Sequence, residues 1–150
     1  MFERILIATD GSKNGEKAAK AGIELAKLSG GEVVIVYVAD SGKYISSASL
    51  IPSFEGVSPG AIDQVVESMR EAGEKATLQV YELARATGVK GQRLIVEGNP
   101  ASEILRIAED ERVGIIVIGS IGKTGLEKVL MGSVAEKIVH SSKMPVLVVR

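Results

Sequence analysis

Five short runs rich in β-branched residues recur along the chain, with longer stretches of helical periodicity between them. They are RILIAT (4–9), EVVIVYVA (32–39), QRLIVE (92–97), GIIVIG (114–119) and PVLVVR (145–150). Each is apolar almost throughout instead of alternating, which is the pattern of strands covered on both faces. The stretches between them read as helices. Ala18, Ala21, Gly22, Leu25 and Leu28 share one face of the first, which stops at Gly30-Gly31. The second runs from about 61 to 86, with Val65, Val66, Met69, Ala72, Ala76, Val80, Leu83 and Ala84 at helical spacing. Asn99-Pro100 supplies an N-cap and a first-turn proline to the third, which carries Ile104, Leu105 and Ala108. The fourth is expected to be capped by Ser133, because Ser133-Val134-Ala135-Glu136 matches a capping box. Strands alternating with helices through right-handed crossovers give an α/β fold, a five-stranded parallel sheet with helices on both faces, and the expected strand order is 3-2-1-4-5.

Few function classes survive the composition. The 150 residues are enough for one domain with a substantial core, and we read residues 1–150 as such. A net charge of −1 leaves no electrostatic footprint for nucleic acid or an anionic membrane. The absence of Cys removes disulfides, thiolate nucleophiles and thiolate metal sites, and fits a cytoplasmic setting. The start, MFERILIATDGS, meets a charge at its third position and has an apolar run too short for a signal peptide or membrane span.

In a doubly wound sheet, ligands sit beyond the C-terminal strand ends where the strand order reverses. Here that point lies between the first and fourth strands, which are followed by Asp10-Gly11-Ser12 and end in Gly119-Ser120-Ile121-Gly122 respectively. The second segment opens VIGSIGKTG, which invites a P-loop reading. That reading fails, because only Ser120 and Ile121 separate Gly119 from Gly122-Lys123-Thr124, where four residues are needed. No Gly-x-Gly occurs there either, so the dinucleotide fingerprint is also missing. The spacing that remains is Gly119-x2-Gly122-x9-Gly132-Ser133. Glycines at 119 and 122 would let the backbone turn sharply and approach a phosphate, and Gly132-Ser133 would bring the start of a helix to the same anion. The helix dipole contributes only about 0.3–1 kcal/mol, so several N–H bonds and a cation, with Lys123 as the candidate, must add to it. Packing alone offers no reason for three glycines at these positions.

The same residues carry a family resemblance. G-x2-G-x9-G-[S/T], closing on GSVAEKIV and PVLVV, resembles the ATP-binding branch of the universal stress protein family, as do ILIATDGS and EGNPASEIL. The resemblance spans the chain except the region near 41–60. It implies a flavodoxin-like fold, an adenine nucleotide (ATP, ADP or AMP) at the switch point, and Mg2+ carried, if at all, by the phosphates. By position, Ala8, Thr9 and Asp10 would border the nucleoside and Val38 the adenine, while Gly119, Ser120, Gly122, Gly132, Ser133 and Val134 would hold ribose and phosphates. It also implies a homodimer through Pro145 to Arg150, which would cover an edge strand apolar on both faces. Two positions depart from the family pattern: Gly114, where many members have Asp, and Ile121, where His is frequent.

Other features read as structure. Asp10-Gly11-Ser12 serves equally as a turn in which Ser12 caps the first helix. Ser29-Gly30-Gly31 is a helix stop, and His140 suits the negative end of the last helix. Residues 40–60 lack periodicity and form either a lid over the adenine or a disordered loop. Three function classes follow: a nucleotide-binding regulatory dimer of the stress response, a slow Mg-dependent ATPase or phosphotransferase, and a nucleotide-free structural dimer. The first is the expectation. No His-backed Ser or paired carboxylate marks a catalytic residue, and no residue set marks a metal site.

Overall fold

A computed structural model describes residues 1–43, 59–122 and 131–150. The elements follow in the order β1 (Arg4–Ala8), α1 (Lys13–Ser29), β2 (Glu32–Ala39), α2 (Pro59–Ala86), β3 (Gly91–Glu97), α3 (Pro100–Asp110), β4 (Ile115–Gly119), α4 (Ser133–Ser141) and β5 (Val146–Val149). All five strands are parallel in the order β3-β2-β1-β4-β5. Ile7 at the centre sits opposite Ile35 of β2 and Val117 of β4.

The period of two along each strand divides the core into two layers. Ile5, Ile7, Val33, Ile35, Ile115 and Val117 face α1 and α2, where Ala18, Ile23, Ala26, Val80 and Ala84 meet them. Leu6, Ala8, Val34, Val36, Ile116 and Ile118 face α3 and α4, packing on Ala101, Ile104, Ile107, Ala135 and Ile138. Both faces are therefore covered, which is why the runs show no polar alternation.

The caps follow the sequence at three of the four helix ends in question. Ser12 Oγ accepts from Gly15 N (3.1 Å) at the start of α1, and Gly30 ends α1 at φ 68°, a left-handed position that suits glycine. Asn99 accepts from Ser102 N (3.1 Å) at the start of α3, with Pro100 in its first turn. The fourth expectation is corrected. The N-cap of α4 is Gly132, without a side-chain cap bond, so Ser133 is already the first helical residue and the capping box does not form. Gly132 is drawn into that position because its N–H donates to the Ser120 carbonyl while its own carbonyl accepts from Glu136 N (2.9 Å).

A second correction concerns α1, whose buried face is Gly15, Ala18, Ala19, Gly22, Ile23 and Ala26. Leu28 is 80% exposed and Ala21 half-buried, so the stripe lies one position away from that defined by the leucines. Small residues let α1 lie close on the sheet, and the leucine at its end is left over. The loop expected near 41–60 is helical at 41–43 and joins α2 at Pro59; the remainder, 44–58, lies outside the described residues. Gly114 donates its N–H to the Arg4 carbonyl (2.8 Å), and a Cβ there would collide with the Met1 carbonyl oxygen. That contact accounts for glycine at this point.

Candidate functional site

Three segments converge beyond the C-terminal ends of β1 and β4. The first continues β1: Thr9 N donates to the Val36 carbonyl (2.9 Å), and Asp10 Oδ1 accepts from Ser12 N (2.9 Å), closing a turn that leads into the cap of α1. The second is the loop after β4. Ser120, only 5% exposed, is its anchor. Its N–H donates to the Val149 carbonyl (2.8 Å), its carbonyl accepts from Gly132 N, and its Oγ accepts from Asn14 Nδ2 (3.1 Å). The third is Met131 to Ala135, where α4 begins. The N–H groups of its first turn have no acceptor within the helix, so this end carries partial positive charge.

The three glycines mark the points where these segments touch. A Cβ at Gly119 would stand 3.0 Å from the Asn14 carbonyl oxygen, one at Gly122 would be 2.9 Å from Asp10 Oδ2, and one at Gly132 would be 3.3 Å from the Ser120 carbonyl oxygen. Close packing thus gives its own reason for small residues at all three, contrary to the expectation from sequence that packing leaves them unexplained.

Between the segments lies a cleft of about 500 Å3, within the size range of small-molecule sites. Of the expected site residues, Ala8, Thr9, Asp10, Val38, Gly119, Ser120, Gly122, Gly132, Ser133 and Val134 all border it. Lys123 lies outside the described residues. One wall is apolar, built from Val36, Val38, Ile104, Ile118 and Val134, and can receive a planar ring. Gly119 to Gly122 and Gly132 to Ser133 bring backbone polar groups and the start of α4 to the same cleft. The cleft therefore combines apolar side chains with backbone polar groups and a helix N-terminus, a combination able to meet both a ring and an anion.

Tyr37, Pro100 and Ile104 border the cleft without having been anticipated, while Asp40 and Lys43, which also border it, belong to the 40–60 segment for which a lid was one expectation. Pro100 and Ile104 open α3 just after the C-terminal end of β3, a position that could have marked them as neighbours of the site. Tyr37 is buried against α2, where a Cβ on Gly73 would stand 2.6 Å from its ring. Burial pushes its phenol pKa up, and the negative charge of Asp10 adds to the shift. Lys43 N donates to Asp40 Oδ1 (3.1 Å) at the rim. Among the described residues no group of three or more His, Asp or Glu side chains is placed to hold a metal ion. None of the described helices is long and apolar enough to cross a membrane.

Comparison with known proteins agrees with this architecture. The model of the universal stress protein family matches residues 1–150. Universal stress protein MJ0531 of Methanocaldococcus jannaschii is 37% identical over 150 residues, covering 100% of this chain and 83% of that protein. The solved structure of MJ0577, a universal stress protein of the same organism, superimposes with a TM-score of 0.82 at 33% identity, covering 99% of this chain and 96% of that one. The universal stress protein of Archaeoglobus fulgidus solved in complex with dAMP has the same fold, with a TM-score of 0.60, 21% identity and all of both chains covered.

Proposed function

The chain belongs to the universal stress protein family, and we propose that it is an adenine-nucleotide-binding member acting as a regulatory dimer in the cytoplasm. One observation carries the reading: the apolar ends of β2 and β4, the loop Gly119–Gly122 and the first turn of α4 border a single cleft. That combination suits a ligand with a planar apolar ring at one end and anionic oxygens at the other. In this reading adenine lies along Val38 and Ile118, and Ala8, Thr9 and Asp10 border the nucleoside. Gly119, Ser120, Gly122, Gly132, Ser133 and Val134 hold ribose and phosphates by close backbone approach. Lys123 adds positive charge, and Mg2+ enters with the phosphates. The dAMP complex of the Archaeoglobus protein adds support at the level of the fold. The dimer forms through Pro145 to Arg150, where β5 is an edge of the sheet and Leu147 is 37% exposed.

A second reading, slow Mg-dependent ATP hydrolysis, draws on the Asp10 carboxylate lying against Gly122, beside the proposed phosphate position. Acid extraction of nucleotide from the purified protein, followed by a phosphate-release assay on stripped protein with ATP and Mg2+, separates the two. The regulatory reading predicts adenine nucleotide in the extract and negligible phosphate. Steady phosphate release would replace it with the enzyme.

A further inference from the structure

We propose that Asn14 is a positioning residue: it holds the loop Gly119–Gly122 in its ligand-ready shape and fixes Ser120 as a hydrogen-bond donor toward the cleft. The inference deepens the functional reading and rests on it for the identity of the ligand. Asn14 is the second residue of α1, half-buried, and reaches across the sheet end to a segment more than a hundred residues away. Its Nδ2 lies 3.1 Å from Ser120 Oγ and 3.3 Å from the Ile121 carbonyl oxygen. A carbonyl oxygen can only accept, so the atom facing Ile121 must be the amide NH2. The second N–H of that group is then donated to Ser120 Oγ, which accepts and keeps its own proton for another partner. Buried hydroxyls seldom leave that proton unpaired. Ser120 borders the cleft, where an anionic oxygen would receive it.

The loop needs such a tie. It carries glycine at both ends and is free to adopt many conformations unless held. Backbone bonds secure Ser120 on two sides, and Asn14 secures its hydroxyl together with the next carbonyl. Ordering the loop before the ligand arrives removes an entropic cost that binding would otherwise carry.

Asn14→Asp isolates this role. The replacement has the same size and adds a negative charge to the first turn of α1, which favours the helix. It cannot donate, and its oxygens repel the Ile121 carbonyl. Thermal unfolding, amide hydrogen exchange without nucleotide, and ATP affinity are measured on wild type and variant. The expected result is an unfolding midpoint close to wild type, exchange of the Ser120 and Gly132 amides about tenfold faster, and ATP affinity about tenfold weaker. Unchanged exchange at those two amides would overturn the positioning role even if ATP binds the wild type normally. Wild type that binds no adenine nucleotide would sink the functional reading, while the exchange measurement still decides the role of Asn14. If Asn14→Asp fails to fold, Asn14→Ala is compared in wild type and in Ser120→Ala. Its effect on affinity should shrink in the second background, and strictly additive effects would contradict the inference.

Discussion

Gly132→Val probes the proposed phosphate end with little disturbance of the backbone. Gly132 has φ −76° and ψ 164°, an extended conformation open to any residue, so the substitution carries no dihedral strain. Space is the difficulty. The new Cβ would lie 3.3 Å from the Ser120 carbonyl oxygen and 3.5 Å from Ile121 Cα. The two methyls of valine must then press on that loop or project into the cleft where an anion would approach the first turn of α4. Either outcome removes at least one hydrogen bond to a charged ligand, worth about 1.5–3 kcal/mol, which corresponds to about 10- to 150-fold in affinity. The folded state loses less. Valine is a poorer N-cap than glycine and the loop must shift slightly, together about 1–2 kcal/mol, or a few degrees in the unfolding midpoint. Equilibrium dialysis with labelled ATP and a thermal melt read the two effects separately, and Gly132→Ala should fall between wild type and valine. A folded Gly132→Val protein whose ATP affinity stayed within about twofold of wild type would refute the placement of the phosphates.

Three further outcomes follow from the same structure. Gly30→Ala meets no atom within 4 Å but must adopt φ 68°, so urea titration should show a loss of about 1 kcal/mol with nucleotide affinity unchanged. Tyr37 has its folded pKa raised by burial and by Asp10; its contribution to stability is complete below the unfolded tyrosine pKa of about 10 and is lost as pH rises through the folded value. Tyr37→Phe should therefore flatten the alkaline decline in stability measured by denaturant titration, and an identical decline would remove Tyr37 as a cause. Leu147→Glu puts a charge on the β5 edge and should give a monomer in sedimentation velocity, whereas an intact dimer would place the interface elsewhere.

The strands and their order were legible because both faces of the sheet are covered. Continuous apolar runs such as EVVIVYVA need no side to be guessed, and the right-handed crossover rule restricts the orders open to them. The cleft was legible for the same reason: the position of Asp10 and of the Gly119–Gly122 loop at the reversal of strand order is a consequence of topology. Finer features depended on contacts that sequence spacing does not carry. The buried stripe of α1 is Gly and Ala apart from Ile23, so the larger Leu25 and Leu28 drew the face toward themselves. Ser133 satisfies the capping-box pattern, yet the bond from Gly132 N to the Ser120 carbonyl moves the cap back by one residue. Asn14 stands in a stretch that reads as an ordinary helix start. Its role appears only when α1 and the loop after β4 are brought together. The glycines were found by spacing, but their packing partners, Asn14, Asp10 and Ser120, became visible only in three dimensions.

The most direct test of nucleotide binding in this cleft is a calorimetric titration of nucleotide-stripped protein with ATP and Mg2+, repeated on Gly132→Val. The account predicts saturable binding of one nucleotide per chain in the wild type and an affinity at least about tenfold weaker in the variant. An absence of binding heat in folded wild-type protein across several temperatures, or equal affinities in the two proteins, would contradict it.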